Sequence, residues 1–147
     1  MARGGNPKLT PGEFVIMLAG VLGLIFSFLP WYSVEGGTDV TAWAPGLFPF
    51  AALAPLAGIV MALQVALDRV ARVSMPRRVS DFTWEQVHMV LGIFALLMVL
   101  GYAIVDKVLV NFGLGYYLVF ITSAGLVVGA VLLRQERRLS SRPGPLS

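Results

Sequence analysis

His88 is the only histidine in the chain, and there is no cysteine. A lone imidazole can hold a metal or pass a proton, but a metal site needs three or more protein ligands and a relay needs further titratable groups along its path. The apolar run that carries His88, Val87 to Val105, holds no Asp, Glu, Lys or Arg. His88 is therefore a candidate functional residue without the neighbours that either chemistry requires. Glu35 and Asp39 are close acids, but they flank a Gly-Gly pair in a turn-like segment. Glycoside chemistry needs two carboxylates facing one protected cleft. No nucleophile–base pairing and no phosphate-cradling glycine motif stands out. The chain reads as a protein without catalytic residues, cofactor or metal, and no nucleic-acid partner is expected.

The elements that carry these side chains are apolar. The composition is 57% hydrophobic and 13% charged over 147 residues, where ordinary globular chains carry about 25% charged residues. The runs Phe14–Leu29, Leu47–Leu67, Val87–Val105 and Leu114–Leu133 contain no Asp, Glu, Lys or Arg. A helix of about 20 residues, rising about 1.5 Å per residue, crosses the roughly 30 Å hydrocarbon core. Lipid offers no partner to a free N–H or C=O, so a spanning segment must satisfy its own backbone as a helix. The expectation is an all-α membrane protein, a bundle of four transmembrane helices over about 11–30, 46–68, 84–106 and 114–134. These form a single domain, 1–133, and a basic tail over 135–147 is expected to be disordered. The first run is too long for a signal-peptide core and ends in Phe28-Leu29-Pro30-Trp31, which is no small-residue cleavage site, so it is read as a retained span.

Ten of the eleven basic residues fall on one side of these four runs. The positive-inside rule makes that side cytoplasmic and puts both termini there, in a multi-pass protein of a bacterial plasma membrane. Arg69, Arg72, Arg77 and Arg78 in the second connection are candidate contacts for anionic lipid headgroups. "TPGEF" opens the first helix with Thr10 as N-cap, Pro11 at the first position and Glu13 closing a capping box; Thr83 and Gln86 repeat these roles in "TWEQ". Gly23 and Ser27, Gly58 and Ala62, and Gly125 and Gly129 are small residues four apart, candidate close-packing positions for the bundle or for a homo-oligomer. The segments "EFVIMLAGVLGL" and "EQVHMVLGIFAL" share a pattern that hints at a duplicated helix pair.

The stretch "FLPWYSVEGGTDVTAW" interrupts the apolar pattern after the first run. Pro30 disfavours helix at Leu29, and Gly36-Gly37 suits a tight turn, so a short extracytoplasmic β-hairpin is expected, with Ser33 opposite Val40. Trp31 and Tyr32 are expected in the outer interfacial belt, and with Trp43 they are the candidate partner contacts. With Leu29-Pro30-Trp31 before the loop and Ala42-Trp43 after it, the chain resembles uncharacterised small four-helix integral membrane proteins of actinobacteria. That resemblance implies the four-helix plan and an envelope location, and it brings no activity. The functional expectation is a non-catalytic scaffold or accessory subunit that meets the lipid bilayer and a membrane-protein partner. The alternative is a small transporter or channel component acting as an oligomer, lined by Ser27, Gln64, Thr122 and Ser123.

Overall fold

The structure is a computed structural model that describes residues 8–76, 78–104 and 110–141. It is mostly helical. Among the described residues four helices form, α1 (Pro11–Phe26), α2 (Phe50–Arg69), α3 (Trp84–Ile104) and α4 (Leu114–Ser140). The last three are long and apolar enough to cross a membrane, while α1 is a shorter apolar helix. The helices alternate in direction. α1 packs on α2 and α4, α3 packs on the same two, and α2 meets α4 across the diagonal.

The start of α1 follows from its sequence. Thr10 is extended and accepts the Glu13 N–H at 3.3 Å, while the Glu13 carboxylate accepts the Thr10 N–H at 3.0 Å. The other boundaries depart from the expected ones. α1 stops at Phe26, short of 30, because Ser27 caps it and its hydroxyl turns back to the Leu24 carbonyl at 2.6 Å. α2 starts at Phe50, beyond 46, because Pro49 restrains Phe48 and the preceding residues form a turn closed by Leu47 and Phe48 N–H bonds to the Ala44 carbonyl. α4 runs through Ser140, so residues 135–140 are helix and not disordered tail. Arg, Gln, Glu and Leu are all strong helix formers, and no breaker occurs before Pro143.

Glycine sets two of the helix contacts. A Cβ on Gly20 would strike the Gly58 carbonyl and lie 2.7 Å from the Ala62 Cβ, so α1 and α2 touch backbone to backbone there. A Cβ on Gly129 would lie 2.7 Å from Ile16, and one on Gly12 would lie 2.6 Å from the Leu133 nitrogen, which brings α1 as close to α4. Where apolar surroundings supply little drive, dispersion at such short range holds helices together.

The hairpin exists but belongs to a larger sheet. β1 (Pro30–Val34) pairs antiparallel with β2 (Val40–Thr41) on one edge and with β5 (Val110–Phe112) on the other. The register with β2 puts Tyr32, not Ser33, opposite Val40, with an irregularity between Pro30 and Tyr32. Gly36 takes a positive φ of 75° in the turn, as a glycine there can. A second small hairpin, β3 (Arg78–Val79) with β4 (Phe82–Thr83), leads into α3 at the opposite end of the bundle.

Candidate functional site at the polar end of the bundle

The bundle has two unlike ends. At one, α1 and α3 begin and α2 and α4 finish, and there the ionisable side chains of four helices come together. Glu13 is 3% exposed, although it is charged. Its Oε1 accepts from Arg69 at 2.7 and 2.8 Å, which joins the first turn of α1 to the last turn of α2. Glu85 and Arg137 make the corresponding pair between α3 and α4, at 3.2 Å. Each helical pair is thus closed by an acid at the start of one helix and an arginine at the end of the next, where helix dipoles favour both charges. Glu136 adds a third link, accepting the otherwise unpaired Gly12 N–H at 2.9 Å.

His88 lies among these groups, 1% exposed, with its ring 6.4 Å from that of Trp84. Arg137 and Glu13 are the charges that act on it. Neither ring nitrogen has a hydrogen-bond partner among the described residues, and the Glu136 Oε2 is likewise buried without one. Among the described residues, no three His, Cys, Asp or Glu side chains are grouped as metal ligands.

The second connection is only partly a free basic surface. Arg72 and Arg78 are exposed, whereas Arg69 is committed to Glu13; Arg77 lies outside the described residues. Around this polar end several clefts open. One, of about 250 Å³, is bounded by Gln64, Met75, Trp84 and Arg137. Another, of about 480 Å³, lies between α3 and α4 beside Arg134 and Arg138.

The opposite end holds the aromatic candidates, and it separates them. Trp31 is not an exposed interfacial ring. It is fully buried, edge-on to Tyr102 at 5.5 Å and to Tyr116 at 5.7 Å. Tyr32 is 8% exposed and donates its hydroxyl to the Tyr102 carbonyl at 3.2 Å. Burial pushes the Tyr32 phenol up to about 12, with Tyr116 and Tyr102 adding to the effect. Both residues serve the fold, because β5 and the start of α4 bring aromatic partners that their own hairpin lacks. Trp43 remains half-exposed, stacked on Phe28 at 5.6 Å, with its indole N–H donating to the Ser27 hydroxyl at 2.8 Å. Of the three candidate contacts, Trp31 and Tyr32 are buried and Trp43 is half-buried.

The packing candidates lie inside the bundle. A Cβ on Gly23 would meet the Thr122 hydroxyl at 3.1 Å, and one on Gly125 would meet the Ala19 side chain at 3.3 Å, both across the α1–α4 contact. Gly58 and Ala62 face Gly20, and Gly129 faces Ile16. The Glu13–Arg69 pair is what sequence reading misses. Its signal was an acid in the first turn of one helix and an arginine in the last turn of its antiparallel neighbour. The chain matches no family model, no curated protein and no solved structure.

Proposed function

We propose that this chain is a four-span integral protein of a bacterial plasma membrane, with both termini in the cytoplasm, acting as a non-catalytic scaffold or accessory subunit of the cell envelope. One observation carries the reading. Large apolar side chains on all four helices face outward, among them Leu18, Ile25, Leu63, Leu97 and Ile121, while Arg72, Arg78, Arg134 and Arg138 gather at one end. Such a girdle needs lipid as its solvent, and arginines at one rim suit the anionic inner leaflet. α1 is about 24 Å long at about 1.5 Å per residue, and the turn after it, residues 27–29, extends its path. The likeness to small actinobacterial envelope proteins belongs to the same proposal.

The interior supports a structural role over a conducting one. Between the two ends the core is Ile16, Ala54, Met61, Val99, Val119 and Leu126. Two of the polar groups within it turn to carbonyls of their own helices, Ser27 to Leu24 and Thr122 to Val119. Single-cysteine labelling tests the topology. Thr38→Cys, in the exposed hairpin turn, should react with an impermeant thiol reagent on intact cells, and Ser140→Cys only after lysis. The reverse pattern overturns the orientation. Crosslinking and pull-down from native membranes should recover a defined membrane-protein complex, whereas solute flux in liposomes containing the purified chain alone would replace the scaffold reading with the transporter.

A further inference from the structure

We propose that the cleft between α3 and α4 at the polar end holds one anionic phospholipid, its phosphate on Arg134 and Arg138 and an acyl chain along Met89 and Val90. The cleft has a volume of about 480 Å³ and is lined by Phe82, Thr83, Glu85, Gln86, Met89 and Val90 on one side and by the two arginines on the other; the Glu85 carboxylate is drawn away to Arg137, at 3.2 Å. Arg134 and Arg138 are four apart on α4 and so project from one face. Both are exposed. Arg69 and Arg137 are neutralised by Glu13 and Glu85, but neither Arg134 nor Arg138 has an ion-pair partner among the described residues. Two free guanidinium forks at one mouth match the oxygens of a phosphodiester better than a single point charge does. The nearby N-terminus of α3 adds a dipole of the same sign.

The apolar half of the cleft selects the kind of anion. A second cleft of about 180 Å³, sharing Phe82, Gln86 and Val90, continues along α3 past Val87 and Leu91, away from the arginines. Phe82 and Val90 are among the exposed large apolar side chains of the chain. A free phosphate or an acidic peptide would leave this track unfilled; a lipid acyl chain fills it while its headgroup stays at the rim. The site rests on the membrane reading, and it differs from general attraction to a charged surface in having a defined headgroup position and a chain track.

The test uses the full chain purified in uncharged detergent, with native mass spectrometry after addition of phosphatidylglycerol or phosphatidylcholine of matched acyl chains. One phosphatidylglycerol should be retained, roughly thirtyfold in preference to phosphatidylcholine, whose choline cancels its phosphate charge, as expected for two arginines near one net-negative headgroup. R134Q with R138Q should abolish the preference, and K8Q, at an exposed lysine that lines no part of the cleft, should leave it unchanged. Equal retention of the two lipids, or an unchanged preference in R134Q with R138Q, overturns the site. Displacement of the lipid by millimolar inorganic phosphate overturns the acyl-chain half and leaves a soluble-anion site. Should the double glutamine variant fail to fold, Val90→Trp on the exposed helix face decides: blocked lipid retention supports the chain track, and unaltered retention refutes it. Carbonate extraction of cell membranes separates this proposal from its premise. A chain that resists extraction yet shows no lipid preference loses only the cleft, and a chain released by carbonate loses both.

Discussion

The polar end and the sheet end of this bundle are closed by opposite means. At the polar end, long side chains reach between helices, and the closing contacts are charge-assisted: Arg69 to Glu13 and Arg137 to Glu85. At the sheet end, short strands bond through the backbone and rings fill the space, with Trp31 between Tyr102 and Tyr116, and Phe112 stacked at 4.0 Å on Tyr116. Arg69 and Arg137 are about a third and a half exposed, so water and salt weaken their pairs. Trp31 and Tyr116 are buried, and Tyr102 and Phe112 are half-buried around them. Salt therefore weakens the closing contacts of the polar end, which also carries the unpaired arginines and open clefts, more than those of the sheet end.

Trp31→Ala should produce the largest effect, a loss of about 3 to 5 kcal/mol in unfolding free energy measured in detergent, because a buried ring leaves a cavity. A loss below about 1 kcal/mol would mean that the rings do not hold this end. Gly115→Ala comes next, at roughly 1 to 3 kcal/mol for overpacking, since the new Cβ would lie 2.6 Å from the Leu29 carbonyl oxygen. Glu13→Gln should cost about 1 to 2 kcal/mol, between the values for surface and buried pairs. Unlike the first two, that difference should shrink as salt is raised, and salt-independence would erase the distinction between the ends.

The smallest effect concerns pH. Burial holds the Tyr32 phenol up at about 12 in the folded chain, against 10.0 in its ordinary state. The folded chain thus holds this proton more tightly than the unfolded one, and the stability it contributes is intact below pH 10 and lost as pH rises toward 12. Tyr32→Phe should remove that part of the alkaline decline, at the cost of about 1 kcal/mol at neutral pH for the missing hydrogen bond to Tyr102. An unchanged alkaline decline in this variant would assign the effect elsewhere.

The helices were legible because their signals are local. Uncharged apolar runs, the Thr10–Glu13 and Thr83–Gln86 caps and Pro30 each act within a few residues. The third strand was not legible, since "VNF" carries no partner information and pairs with residues nearly eighty positions earlier in the chain. For the same reason Trp31 read as an interfacial anchor: an aromatic residue after a helix-stopping proline looks alike whether lipid or Tyr116 covers it. The continuation of α4 past Leu133 was masked by its charge, although its residues favour helix and Glu136 finds a fixed partner in Gly12. At the candidate site, His88 was visible as a lone histidine. Its setting between two salt-bridged pairs depends on four helices meeting, which no local pattern encodes.

The two clasps have a consequence for how the chain could be divided. Glu13–Arg69 lies wholly within the first helical pair and Glu85–Arg137 wholly within the second. β1 joins the halves, as the Gly12–Glu136 bond does at the polar end, because its partner β5 and the rings around Trp31 come from the second pair. A break between Ala71 and Asp81 would leave each fragment with its own clasp and a complementary seam toward the other. Two separately encoded pieces would then have what they need to find one another, with Trp31 as the key that recognises its missing half.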